Sequence, residues 1–164
     1  MPKIRLYSKP WIYALVLFLS VALCLFIFIM SCEPADVSSE RSSGIADVIA
    51  QIFVEDFDIL AKDEKEEVLL SIEHIIRKIV HFCMYATLGA LFAFSSLWHS
   101  RTWAKHFLLP WTLSALYAAS DEFHQMFVPG RGPLVSDVVL DSFGAACGVT
   151  FALLCTLLAL KRKS

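Results

Sequence analysis

Ionisable side chains recur at one-turn spacing in the second half of the chain. Arg77, His81 and Tyr85 are four apart and share a helix face, with Lys78 beside the first. Tyr117, Asp121 and Gln125 repeat the spacing, with Glu122 and His124 among them. Asp137 and Asp141 are again four apart, and Arg131 stands between the second and third sets. Three kinds of chemistry suit these residue types. Carboxylates beside histidine can act as general acid and base. His81, Asp121, His124, Asp137 and Asp141 offer N and O ligands for a divalent metal. The set can also form a polar pocket that binds or excludes an amphiphile or a lipid head group. A fourth reading is purely structural: an internal staple of ion pairs and hydrogen bonds. Spacing alone leaves these open. The chain has no HExxH, GxSxG or Walker pattern. Ser120 lies four before His124, which is no recognised nucleophile arrangement. No cofactor is called for.

The elements that position these residues follow from composition. Of 164 residues, 57% are hydrophobic and 18% charged, and the mean hydropathy is +0.64. A soluble domain averages roughly 45–50% apolar and about 25% charged. The hydrophobicity excludes a disordered chain. A net charge of -2 argues against a nucleic-acid partner. A bilayer core about 30 Å thick takes roughly 20 apolar residues to cross. Residues 11–30 carry no charge, 79–98 are interrupted by His81, and 138–160 by Asp141. A fourth span is expected over 107–127, which must pass through Asp121, Glu122, His124 and Gln125 to be long enough. The expected fold is all-α: one polytopic membrane domain over 1–164, with four transmembrane helices and an outer amphipathic helix.

Charge placement orients the spans. Segments 1–10, 99–106 and 161–164 hold Lys3, Arg5, Lys9, Arg101, Lys105, Lys161, Arg162 and Lys163, and no acid. All 16 acids fall within 31–78 or 121–141. The positive-inside rule puts both termini and the 99–106 loop in the cytoplasm. Residues 31–78 then face outward, and all the candidate polar residues collect at the outer end of the spans. A charge inside the bilayer costs roughly 2.5–3.5 kcal/mol on insertion scales, so these groups are expected to face inward and pair. Four acids stand against Arg77, Lys78 and Arg131, with two histidines.

Within the outer segment, residues 33–43 read as extended or turn-rich. Ile45, Val48, Ile49, Ile52, Phe53, Phe57 and Leu60 then predict an amphipathic helix of about four turns. It would lie on the membrane surface, cap the bundle or form a lid over a site. Asp63 with Glu66 resembles a capping box opening the next helix, and Ser136 is a candidate N-cap for the last. Gly144, Ala145 and Gly148 permit close helix approach, with Gly89 as the matching surface. Residues 1–30 could alternatively be a signal peptide, with Ile29-Met30-Ser31-Cys32 as a lipoprotein-like box. The apolar run favours a retained anchor. The five cysteines form no CxxC pair and read as packing residues.

Three stretches carry a family resemblance. They are Arg77-Lys78-Ile79-Val80-His81-Phe82 with Tyr85 and Gly89; Ser120-Asp121-Glu122-Phe123-His124-Gln125 with Phe127-Val128-Pro129-Gly130-Arg131; and Asp137 through Ala145. In order and spacing they resemble the successive motifs of the VanZ-like family of bacterial membrane proteins. Glu33-Pro34-Ala35 resembles the segment after that family's first span. The resemblance implies a four-span protein of the cytoplasmic membrane acting near the cell-wall face. The founding member is associated with low-level resistance to teicoplanin, a glycopeptide carrying a lipid tail. Partners implied are the bilayer and a lipoglycopeptide or lipid head group. Asp141-Ser142 departs from the Asn-Thr expected of the founding member, which adds an acid to the site.

Overall fold

A computed structural model describes residues 9–98 and 102–162. Lys3, Arg5, Arg101 and Lys163 of the charge pattern lie outside the described residues. Within them the chain forms five α-helices and no strand: α1 (Pro10–Ser31), α2 (Ala35–Phe53), α3 (Lys62–Ser96), α4 (Trp103–Gln125) and α5 (Val135–Lys161). A single 3-10 turn, Phe57–Ile59, joins α2 to α3. Three helices, α1, α3 and α5, are long and apolar enough to cross a membrane. α4 has 23 residues and so spans about 34 Å, but its polar C-terminal end lowers its hydropathy.

α3 and α5 make the most extensive contact in the molecule. They run parallel, because Lys78 meets Asp137, His81 meets Asp141 and Phe82 meets Gly144. Glycine makes the approach possible. A Cβ on Gly144 would lie 2.6 Å from the Phe82 carbonyl oxygen. One on Gly148 would collide with the Ala86 carbonyl, and one on Gly89 with that of Ala145. The small-residue pattern is therefore a backbone-to-backbone seam. α4 runs antiparallel to α5, and the Trp111 indole donates to the Ser142 carbonyl at 3.1 Å. α1 runs parallel to α4. Tyr117 of α4 donates to the Cys24 carbonyl at 2.6 Å, and Ser31 to Asp121 Oδ2 at 2.9 Å. Ser20, Ile27 and Ser31 are the buried residues of α1, and Cys24 is partly buried between them. Much of the rest of α1 is exposed apolar surface.

α3 has 35 residues, about 52 Å, and is longer than one crossing requires. α2 packs antiparallel on its N-terminal half. Arg77 donates to Ser39 Oγ at 3.4 Å, and Lys65 sits over the Phe57 ring. The buried face of α2 is made of Ser42, Ala46 and Ala50.

Four local expectations need correction. Residues 35–43 are helical, not extended: packing on α3 overrides the poor helix propensity of the serines. Ser42 and Ser43 turn their hydroxyls back onto helix carbonyls, removing their competition with the backbone. The helix expected over 45–60 ends at Phe53, where Val54 becomes extended and Asp56 takes a left-handed conformation, φ 57°. Its apolar row is left on the surface, with Ile45, Val48, Ile52 and Phe53 all exposed. α3 is preceded by Ala61, whose N–H donates to Glu64 Oε2 at 3.0 Å, in place of the Asp63/Glu66 box. Leu134, not Ser136, is the N-cap of α5. The Leu134 N–H donates to Glu122 of α4, so a neighbouring helix supplies the acceptor that the N3 carboxylate supplies in a capping box.

Candidate functional site

The alternating helix directions bring the end of α4 and the starts of the membrane-crossing part of α3 and of α5 to one level. There a cavity of about 210 Å³ opens between α3, α5 and the turn that joins α4 to α5. α3 lines it with Arg77, Lys78 and His81, and α4 with Glu122 and Gln125. The turn contributes Arg131, and α5 contributes Asp137 and Asp141. Eight of the twelve residues singled out by spacing therefore surround one space.

The other four lie elsewhere. Tyr85 is fully buried one turn below His81, with its ring centroid 6.2 Å from that of Tyr117. Tyr117 itself is held on α1 through its hydroxyl. Asp121 is buried and receives hydrogen bonds from Ser31 and, at 3.3 Å, from Gln125. His124 is turned toward α1, where it stacks on Phe28 at 4.9 Å and its Nε2 lies 3.3 Å from Cys32 Sγ. Of the five side chains proposed as metal ligands, His81 and Asp141 meet at 3.6 Å, while Asp121 and His124 face α1. Among the described residues no three His, Cys, Asp or Glu side chains converge as a ligand set.

Pairing inside the cavity is uneven. Lys78 and Asp137 form an ion pair at 2.9 Å. His81 and Asp141 form the second pair, and Glu122 is committed to the Leu134 N–H. Among the described residues the two arginines have no carboxylate within ion-pair distance, although Asp121, Glu33 and Glu122 attract Arg131 from farther off. Arg77 reaches Ser39 Oγ, and Arg131 donates to the Met30 carbonyl at 3.3 Å. Burial and the neighbouring Arg77 push the Arg131 guanidinium below its ordinary value. An arginine nonetheless stays charged. The site thus holds two cationic forks close enough to repel each other, both on the cavity wall. The imbalance is matched on the acid side: Asp141 is 4% exposed, and its Oδ1 has no hydrogen-bond partner among the described residues.

Several lining residues escaped the spacing argument. His74 lies one turn before Lys78 on the same helix, so the four-residue periodicity extended upstream would have found it. Ala35, Gly130, Gly132 and Leu140 carry no chemical signal of their own. Gly130 takes φ 74°, and a Cβ there would lie 3.1 Å from that of Ala35, so the turn closes against the start of α2. The Ala35 N–H also donates to the Pro129 carbonyl at 3.3 Å.

A second, more apolar groove of about 180 Å³ runs between α1, α2 and α3. Met30, Ile45, Ile76, Val80 and Met84 line it, and it shares Arg77, His81 and Arg131 with the first cavity.

Comparison with known proteins gives one family. The model described as VanZ/LLP1 matches residues 12–158. No curated protein and no solved structure matches the chain.

Proposed function

The chain belongs to the VanZ/LLP1 family, and on that premise we propose that it is a four-span membrane protein whose polar cavity binds an amphiphile's anionic head group at the outer leaflet. The observation that carries this reading is the pair Arg77 and Arg131, buried in part, facing one cavity and lacking a carboxylate partner. Charge this close to hydrocarbon is costly unless it is neutralised. An anionic group bound between the two forks would supply that neutralisation, and guanidinium groups suit the planar, bidentate contact that phosphate and carboxylate offer.

Packing and charge support this topology. α4 runs alongside three helices that are long and apolar enough to cross, and its polar residues Asp121, Glu122 and Gln125 are buried against its neighbours. A fourth crossing is therefore consistent with its low hydropathy. Lys9, Lys105, Lys161 and Arg162 lie at the end of the bundle opposite the cavity, which orients that end to the cytoplasm. The exposed row of Ile45, Val48, Ile52 and Phe53 on α2 then rests on the outer membrane surface.

The lipid-tailed glycopeptides that the family resemblance points to are amphiphiles of this general kind. Expression in a sensitive host should raise tolerance to teicoplanin more than to vancomycin, and Arg131→Gln at equal membrane level should abolish the difference. Equal sensitivity with and without the protein would overturn the antibiotic part of the proposal. A second reading, catalysis on a lipid or lipid-linked wall precursor, rests on His81 and Asp141. A carboxylate at 3.6 Å from the imidazole nitrogen can orient a general base that faces the cavity. Precursor and lipid profiles of a deletion strain complemented with His81→Asn would differ from wild type under that reading, and would match under simple binding.

A further inference from the structure

The two cavities meet at shared residues. Arg77, His81 and Arg131 line both the polar cavity and the apolar groove, so the cationic forks stand at a waist between them. Each space alone is smaller than the roughly 300–1,000 Å³ of a drug-sized site, and the two joined reach that range. Their linings differ in kind. On one side Met30, Ile45, Ile76, Val80 and Met84 suit a hydrocarbon chain, and the polar groups beside them, the Ser38 carbonyl, the Ser42 hydroxyl and the Arg41–Glu33 ion pair, are partnered within the protein. On the other are three carboxylates, one of which, Asp141, keeps a buried oxygen without a donor. A buried acceptor left unsatisfied is costly, so a ligand that brings an O–H or N–H to it is favoured over one that does not.

Resting on the head-group reading above, we infer that the ligand is a phosphodiester lipid with a hydrogen-bond donor in its head group. The phosphate sits between Arg77 and Arg131. The hydrocarbon chain leaves through the groove between α1, α2 and α3. The head group, carrying hydroxyls or an ammonium, enters the polar cavity and donates to Asp141 Oδ1. Apolar groove, paired cations and orphaned acceptor follow one another along one path, in the order in which tail, phosphate and head group follow one another in such a lipid.

The test uses the purified full chain in detergent micelles, titrated with lipid and read by native mass spectrometry. Four dioleoyl probes are compared: phosphatidylglycerol with hydroxyl donors, phosphatidylethanolamine with ammonium donors, phosphatidylcholine with no donor, and diolein with no phosphate. We expect phosphatidylglycerol or phosphatidylethanolamine to bind at least tenfold tighter than phosphatidylcholine, and diolein weakest of all. Whichever of the first two binds tighter identifies the donor. Asp141→Asn should narrow the preference over phosphatidylcholine to less than threefold, with an unchanged helical circular-dichroism spectrum as the check that it folds. Val80→Trp, at a groove position that is 47% exposed and so tolerant of bulk, should weaken all three phospholipids at least fivefold. If no phospholipid binds better than diolein, the head-group reading falls and this inference with it. If all three bind alike, or if Val80→Trp leaves them unchanged, only this inference is overturned.

Discussion

α3 meets two of its neighbours, α5 and α2, in opposite ways. Its C-terminal half lies against α5 with backbone nearly touching backbone, through Gly89, Gly144 and Gly148. Its N-terminal half lies against α2 through Ser42, Ala46 and Ala50, and there the buried Glu73 keeps a carboxylate oxygen without a partner. One interface is filled to the limit of steric tolerance, and the other leaves a polar group unsatisfied. The cavity stands where one gives way to the other, with Asp137 and Asp141 on the tight side and Ala35 and His74 on the loose side. Its α5 wall is therefore fixed, while its α2 wall is held by weaker means.

The strongest way to break this contrast is to put the same insult into both interfaces. Gly148→Leu must drive α3 and α5 apart, and overpacking of this kind should cost about 3 kcal/mol or prevent folding. Ala46→Leu on the α2 side should cost only about 1 kcal/mol, because that contact has side chains on both faces to rearrange. Thermal unfolding in detergent compares the two, and equal losses would erase the distinction. Next in size is His81→Leu, which leaves the buried Asp141 without its partner and should cost about 2 kcal/mol by the same measurement. Glu73→Met then sharpens the comparison from the loose side. Replacing a partly unsatisfied buried acid with an apolar side chain of similar length should stabilise the protein by about 1 kcal/mol, whereas a loss of that size would mean the carboxylate is a working contact. The smallest effect belongs to Gly44→Ala. A Cβ there meets nothing within 4 Å, so only helix propensity changes, and α2 should gain about 0.5–1 kcal/mol. Slower amide exchange confined to α2 would report it.

How far the sequence could be read follows the same division. Residues 11–30 and 138–160 declare α1 and α5 because a predominantly apolar run of that length has few other uses, and Gly144 with Gly148 declares the seam because small residues one turn apart expose a backbone. The start of α2 was illegible. Serines at 38, 39, 42 and 43 argue against a helix, and only the packing of Ser42, Ala46 and Ala50 on α3 reverses that. On α4 the four-residue spacing identified the polar residues but not their neighbours. Tyr117, Asp121 and His124 turn toward α1 while Glu122 turns toward α5, and α1 is so uniformly apolar that nothing in its sequence announces Ser31 or the Cys24 carbonyl as partners. The pairing expected of Arg77 and Arg131 with acids did not occur, since counting charges says nothing of which side chains can reach one another.

The hydrogen bond from Ala35 to Pro129, with Gly130 folded against the same residue, has a mechanical consequence. It fastens the first residue of α2 to the turn that carries Arg131, while the far end of α2 runs out into the left-handed kink at Asp56. α2 is thus a lever pinned at the cavity and jointed at the other end. If its exposed apolar row rests on the membrane as proposed, a tilt of α2 reaches the guanidinium at the waist through this clasp as well as through its packing on α3.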